Sequence, residues 1–130
     1  MKKLFALSNK LFVGLLVCAT ASFCQAAESP ATKLEITHLF AVLESTGCQF
    51  NRNGSWYNAK EASAHLQTKY KYLQDKDLVS SAEIFIERAA TQSSLSSKAY
   101  QIKCADNLAQ ASAPWFQAAL MKYRGIAKNR

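Results

Sequence analysis

Residues that bind metals or activate nucleophiles are scarce in this chain. It has two histidines in 130 residues, His38 and His65. Neither has a second ligand beside it at zinc-finger spacing, so no metal site is expected. There is no Gly-x-Ser-x-Gly elbow. The serine-rich stretch at 93–98 holds no Ser-x-x-Lys either, because Leu95 stands three residues before Lys98. Beyond the N-terminal segment, Lys and Arg form no run, which argues against nucleic acid as a partner. No internal repeat and no second domain is visible. The charge-free stretch LFVGLLVCATASF, Leu11 to Phe23, falls short of the roughly 20 residues that a spanning helix needs.

That stretch has the build of a secretory signal instead. Met1-Lys2-Lys3 and Lys10 supply the basic start, and Cys24 and Ala26 occupy positions −3 and −1 of a small-residue cleavage pattern. Cleavage is expected after Ala26, with an uncleaved anchor as the alternative. A lipid-attachment signal fits less well, since Cys18 follows Val17 and Cys24 follows Phe23. Residues 27–130 remain as a single domain with no membrane span, expected in the periplasm. A domain of this size buries roughly 65% of its unfolded surface, enough for one core. It keeps 13 of the 16 basic residues and all 9 acids, a net charge of +4. That mild excess leaves room for acidic partners. Only Cys48 and Cys104 survive processing, and export permits a disulfide between them. Closing that loop is worth roughly 4 kcal/mol in the chain-entropy model. Two free buried thiols are the alternative.

Along the domain, Ser29-Pro30 is a helix start, followed by a stripe of Ile36, Leu39, Phe40 and Leu43, with Gly47 as the stop. His38 projects opposite the stripe and is expected at the surface. Asn53-Gly54 is a turn signal after a short strand carrying Cys48 and Phe50, and Trp56 and Tyr57 follow it. Asn58 and Glu61 can close a capping box on a second helix, whose apolar face is Ala59, Ala62, Leu66, Tyr70 and Leu73. Ser80 and Glu83 repeat the pattern before Ala82, Phe85, Ile86 and Ala89. Tyr100 to Cys104 alternates like a half-buried strand, and pairing it with residues 48–51 brings the cysteines together. Residues 105–113 read as a loop. A last helix starts at Ser112 and Pro114, carries Trp115, Phe116, Ala119, Leu120 and Tyr123, and ends at Gly125. The expected fold is α+β: four short helices around one core, a small two-stranded antiparallel sheet and one disulfide.

Candidate site residues gather around the second helix and the serine loop. Glu61, His65 and Lys69 lie four apart, and at 100° per residue Lys69 falls about 20° from Ala62, inside the apolar arc. Its amine needs a partner. A salt bridge to an acid on a neighbouring helix is the expected one, and capture of an anion the alternative. His65 is expected to hydrogen-bond at the core edge; a general base oriented by Glu61 is the catalytic alternative. Ser93, Ser94 and Ser96 are expected to satisfy their own loop. Their functional reading is anion recognition, with Arg52 and Lys98 supplying charge. Of the aromatic residues Trp56, Tyr57, Tyr70, Tyr72, Trp115 and Tyr123, most are expected in or beside the core; an exposed subset would make a protein- or glycan-binding patch.

FNRNGSWYNAKEASAHLQTKY and SAEIFIERAATQSSLSSKAYQIKC, taken together, resemble the YfeK-like family, a domain of unknown function in exported proteins of Gram-negative bacteria. The resemblance covers nearly the whole of 27–130. Its motifs are Phe50-x-Arg52-Asn53-Gly54, Glu61-Ala62-x-x-His65-Leu66-x-x-Lys69, Ala82-Glu83-x-Phe85-Ile86 and Ser93-Ser94-x-Ser96-x-Lys98-x-Tyr100. Where that family has Gly-Lys-Pro-Tyr, this chain has Ser97-Lys98-Ala99-Tyr100, so Gly and Pro do not set the loop's shape here. The resemblance implies export and one small domain. It carries no activity.

The functional expectation is a binding module without catalytic residues, cofactor or metal. Its partner is an anionic small ligand or an envelope protein, and its candidate surface is Arg52, Asn53, His65, Lys69, Ser93, Ser94, Ser96, Lys98 and Tyr100. An inhibitor or adaptor of a secreted hydrolase is one alternative. A hydrolase with His65 as base and a loop serine as nucleophile is another.

Overall fold

The computed structural model describes residues 27–128. The expected signal peptide, residues 1–26, lies outside them. Ser29 accepts a hydrogen bond from the Thr32 N–H at 3.1 Å and caps α1 (Pro30–Ser45), with Pro30 in the first turn where its missing N–H costs nothing. Ile36, Leu39, Phe40 and Leu43 are all buried, as their spacing predicts. Gly47 then turns the chain at φ +65°.

Strands β1 (Gln49–Arg52) and β2 (Ser55–Asn58) form a hairpin. Its two-residue loop, Asn53 (φ +53°) and Gly54 (φ +87°), keeps both central residues left-handed, as a tight hairpin turn requires. Helix α2 (Ala59–Asp75) opens with the expected capping box: Asn58 Oδ1 accepts from the Glu61 N–H at 2.9 Å, and Glu61 Oε2 from the Asn58 N–H at 3.2 Å. Ala59, Ala62, Leu66, Tyr70 and Leu73 are buried.

The short α3 (Ala82–Phe85) starts one residue later than expected. Ser81, not Ser80, accepts from the Ile84 N–H, at 3.2 Å. The Ser80 carbonyl instead receives the Thr32 hydroxyl at 3.5 Å, tying the α3 entry to α1. From Ile86 to Ala90 the helix widens into a π turn, and the Thr91 hydroxyl closes onto the Ile86 carbonyl at 2.8 Å. Ala89 and Ala90 at its end are both buried, one residue beyond the expected stripe.

Strand β3 (Gln101–Lys103) pairs with β1, and β4 (Gln110–Ala111) pairs with β3. The sheet is therefore four-stranded and antiparallel, in the order β2-β1-β3-β4, rather than two-stranded. The difference has two sources. Ser55–Asn58 completes a hairpin whose first strand alone is evident in the sequence. β4 is two residues long, too short to alternate, within a segment that otherwise reads as loop. Helix α4 (Ser112–Lys128) follows directly and runs past Gly125. That glycine is not left-handed, and a glycine stop depends on that conformation.

The helices cover one face of the sheet. α2 lies on β1 and β2, α4 on β3 and β4, and α1 packs against α2, α3 and α4. Period-two alternation sends Phe50, Ile102 and Tyr100 inward, where they meet Leu66, Phe85, Ile86 and Phe116. Cys48 and Cys104 form a disulfide where the β1–β3 ladder ends, with Cα atoms 4.2 Å apart. Arg124 of α4 reaches Glu35 of α1 at 2.7 Å and also Glu83 of α3, clamping three helices together. His38 is half-buried and stacks on Tyr123, with ring centroids 4.4 Å apart, where opposition to the stripe predicts a free surface residue.

Candidate ligand-binding site

The same alternation that buries Phe50 puts Arg52, two residues on, on the inner face of the sheet, beyond the rim of the core. Its guanidinium lies over the Tyr57 ring, 4.8 Å from the centroid. One turn of α2 separates His65 from Lys69, and both point toward this rim. Tyr100, 1% exposed, rises from the core between them.

These four side chains form a chain of hydrogen bonds. Arg52 Nη1 meets His65 Nδ1 at 2.5 Å, His65 Nε2 meets the Tyr100 hydroxyl at 3.3 Å, and Lys69 Nζ approaches the same hydroxyl at 3.5 Å. Lys69 Nζ also donates to the Gln92 carbonyl at 3.1 Å, just past the π turn. A guanidinium can only donate, so Nδ1 of His65 is the acceptor and the neutral ring carries its proton on Nε2. Burial, then the charges of Arg52 and Lys69, hold the His65 pKa below its ordinary value. Burial, then Arg52, lowers that of Lys69 as well. Burial also pushes the Tyr100 phenol up, so it stays protonated.

The expected salt bridge from Lys69 to a neighbouring acid is absent. Among the described residues the ion pairs are Lys71–Asp75, Arg124–Glu35 and Arg124–Glu83, and neither Arg52 nor Lys69 joins one. The amine is instead held by a backbone carbonyl, a tyrosine hydroxyl and the Tyr100 ring, 5.1 Å away.

The serine loop follows its self-satisfying reading. Ser93 is 4% exposed, and its hydroxyl accepts from the Leu95 and Ser96 N–H groups and from Asn53 Nδ2 at 3.3 Å. Ser96 donates back to Asn53 Oδ1. Asn53, Ser93 and Ser96 therefore lock the hairpin turn to the loop and are occupied by one another. The geometry the hydrolase alternative needs is not present, since the hydrogen bonds of both His65 nitrogens go to Arg52 and Tyr100 and none goes to a serine. Ser94 and Lys98 are exposed, and the charge acting on His65 comes from Arg52 and Lys69, not Lys98.

A recess of about 390 Å³ opens on the other side of Lys69, lined by Thr68, Lys69, Tyr72, Leu73, Arg88 and Ser94. Neither Arg52 nor Lys98 lines it. Arg88 carries no signal of its own in the sequence; it stands on the π turn and lines the recess with Lys69. In the sequence Tyr57 reads only as an aromatic residue; its contact with Arg52 follows from the hairpin register. A broader, more open groove of about 1020 Å³ runs between α1 and α2, past Phe40, Glu44, Gln67 and Lys71, and holds none of the candidate residues. No cluster of three or more metal-ligating side chains occurs among the described residues.

Fold and site together define a small disulfide-bonded α+β domain with a cationic cluster at the end of β1 that meets no acid among the described residues. Residues 30–124 match the family of unknown function DUF5329, and the chain belongs to that family. No curated protein and no solved structure gives a significant match. Among the described residues no helix is long and apolar enough to cross a membrane.

Proposed function

We propose that this protein is a binding module, without catalysis, for a small anionic ligand. One observation carries the reading: Arg52 and Lys69 crowd His65 at a half-buried rim, and among the described residues no carboxylate bonds to any of the three. Each cation depresses the protonation of its neighbours, and an anion entering the cluster removes that penalty. The acidic groups of an envelope protein are the other form such an anion can take. An inhibitor or adaptor needs a contiguous patch with an aromatic anchor. Trp56, on the outer face of the sheet with Lys103 5.2 Å from its ring, is the nearest approach to one. The other exposed large apolar side chains, among them Leu34, Leu95, Leu108 and Met121, are spread over separate elements.

We place the protein in the periplasm, within the YfeK-like grouping that its motifs resemble. The support is the disulfide, which oxidising compartments favour, and the signal-like N-terminal sequence. The test is thermal unfolding of the oxidised protein against phosphates, sugar acids and peptidoglycan fragments. A saturable rise in Tm that is lost in Lys69→Gln and weakened in Arg52→Ala supports the reading. No rise with any anion removes it.

A further inference from the structure

The recess beside Lys69 has an unusual mixture of walls. Its six residues include two cations, from α2 and from the π turn, and no acid. Leu73 forms an apolar floor, and Tyr72, 60% exposed, leaves a large ring standing over it. The Arg88 guanidinium is anchored through Nη1 to the Leu78 carbonyl at 3.3 Å, which leaves its remaining N–H donors free to fork onto an acidic head. Lys69, with three N–H donors and two protein acceptors, has one to offer. At about 390 Å³ the recess lies at the small end of the range typical of ligand pockets, about 300–1,000 Å³.

A bare inorganic anion has no use for the tyrosine and leucine walls. A purely apolar ligand gains nothing from two unpaired cations. We propose that the recess takes a small organic anion with an apolar body, an aryl or medium-chain acyl phosphate or carboxylate. Its head sits between Lys69 and Arg88, beside the Ser94 hydroxyl, and its body lies against Tyr72 and Leu73. This assignment rests on the anion-binding reading and narrows it to one recess and one ligand class.

The experiment is an NMR titration of the oxidised protein, following the Leu73 methyls, the Ser94 amide and the Asn53 side-chain amide. The probes are phenyl phosphate, benzoate, octanoate, inorganic phosphate and neutral benzyl alcohol. The expected result is saturable shifts at Leu73 and Ser94 with phenyl phosphate or octanoate, at least tenfold tighter than with inorganic phosphate or benzyl alcohol. The exposed Arg88→Gln should weaken that binding at least fivefold without touching the core, and Tyr72→Ala should reduce phenyl phosphate to the level of phosphate. Benzoate, which keeps the ring and changes the head, separates phosphate from carboxylate heads when set against phenyl phosphate. Equal affinity for inorganic and phenyl phosphate overturns the ligand class and leaves the anion-binding reading standing. Shifts confined to Asn53, with Leu73 and Ser94 unmoved, overturn the recess in the same way. No response to any anion overturns both.

Discussion

Two polar clusters stand where elements meet in this protein, one among helices and one between sheet and helix, and they are built on opposite plans. In the first, Arg124 is shared between Glu35 and Glu83, and the clamp carries its own counter-charges. The Glu83 carboxyl is held below its ordinary value, chiefly by its hydrogen bond to Arg124. In the second, Arg52 bonds His65, and His65 and Lys69 both meet the Tyr100 hydroxyl, but among the described residues no acid closes the charge. A cluster whose work is to hold helices together is most stable when complete. One left short of an anion is suited to receive it. The difference is therefore expected to appear as opposite responses to mutation, pH and ligand.

The largest effect should come from the disulfide. It joins β1 and β3, the strands beside Arg52 and Tyr100, whereas the Arg124 clamp lies among the helices. The double variant Cys48→Ser/Cys104→Ser is expected to lose roughly 4 kcal/mol of stability, read by urea unfolding. Where the variant still folds, anion binding should weaken while the Arg124 clamp persists. A loss below about 1 kcal/mol would mean that the sheet is held mainly by its ladder and core.

Removing the compensated cation comes next. Arg124→Ala breaks two ion pairs at once and leaves Glu35, 17% exposed at its side chain, without its partner. Solvent screens this half-exposed clamp, so the expected cost is about 1–2 kcal/mol rather than that of a buried pair. A cost within 0.5 kcal/mol of zero, on the scale of exposed pairs, would erase the contrast between the clusters.

Much of this arrangement was legible in the sequence. Helical spacing and caps gave α1 and α2 with their buried faces, because those signals are local. The Cys48–Cys104 pairing followed from an even cysteine count in a domain whose N-terminal sequence predicts export, and from the alternation at Tyr100–Cys104. What stayed hidden depends on contacts distant in sequence or on single backbone torsions. The π turn, which sets Arg88 beside Lys69, is one case; the two-residue β4 is another. The partner of Lys69 is a third. Its place inside the apolar arc showed that it needed one, yet a backbone carbonyl at Gln92 leaves no mark in a side-chain pattern. Ser97 is a fourth: it adopts φ +56°, although nothing in a serine announces a left-handed residue. Ser97→Gly should accordingly raise stability by about 0.5 kcal/mol, since glycine removes left-handed strain but adds unfolded-state entropy. An unchanged or lower urea midpoint would show that the Asn53–Ser93–Ser96 lock already absorbs the strain.

A smaller effect again is expected from Lys69→Gln. It gives up a carbonyl contact and relieves crowding with Arg52, so stability should stay within about 0.5 kcal/mol of wild type. Set against Arg124→Ala, a near-zero value marks Lys69 as a residue kept for something other than the fold. A loss of 2 kcal/mol or more would make it the structural cap of the π turn instead.

The smallest expected effect is also the most specific to the open cluster, because it separates the two plans by pH. Folding lowers the His65 pKa beneath 6.5, so the neutral ring stabilises the fold fully above that value, and the contribution is lost as pH falls through the folded value. Protonation puts a hydrogen on Nδ1, where Arg52 already donates, and the bond between them becomes a clash of donors. Glu83 behaves the same way in a lower window, its contribution present above about 4.5 and lost as pH falls below it. Urea midpoints at pH 8 and 5.5 straddle the upper end of the first window, and both lie above the second. Wild type should be less stable at pH 5.5, and His65→Gln should lose that decline. Saturating phenyl phosphate should shrink the decline in wild type, because a bound anion offsets the cations that oppose protonation of His65. A decline that survives in His65→Gln would assign the titration elsewhere, and the Arg52–His65 bond would then be as indifferent to charge as the Arg124 clamp is at that pH.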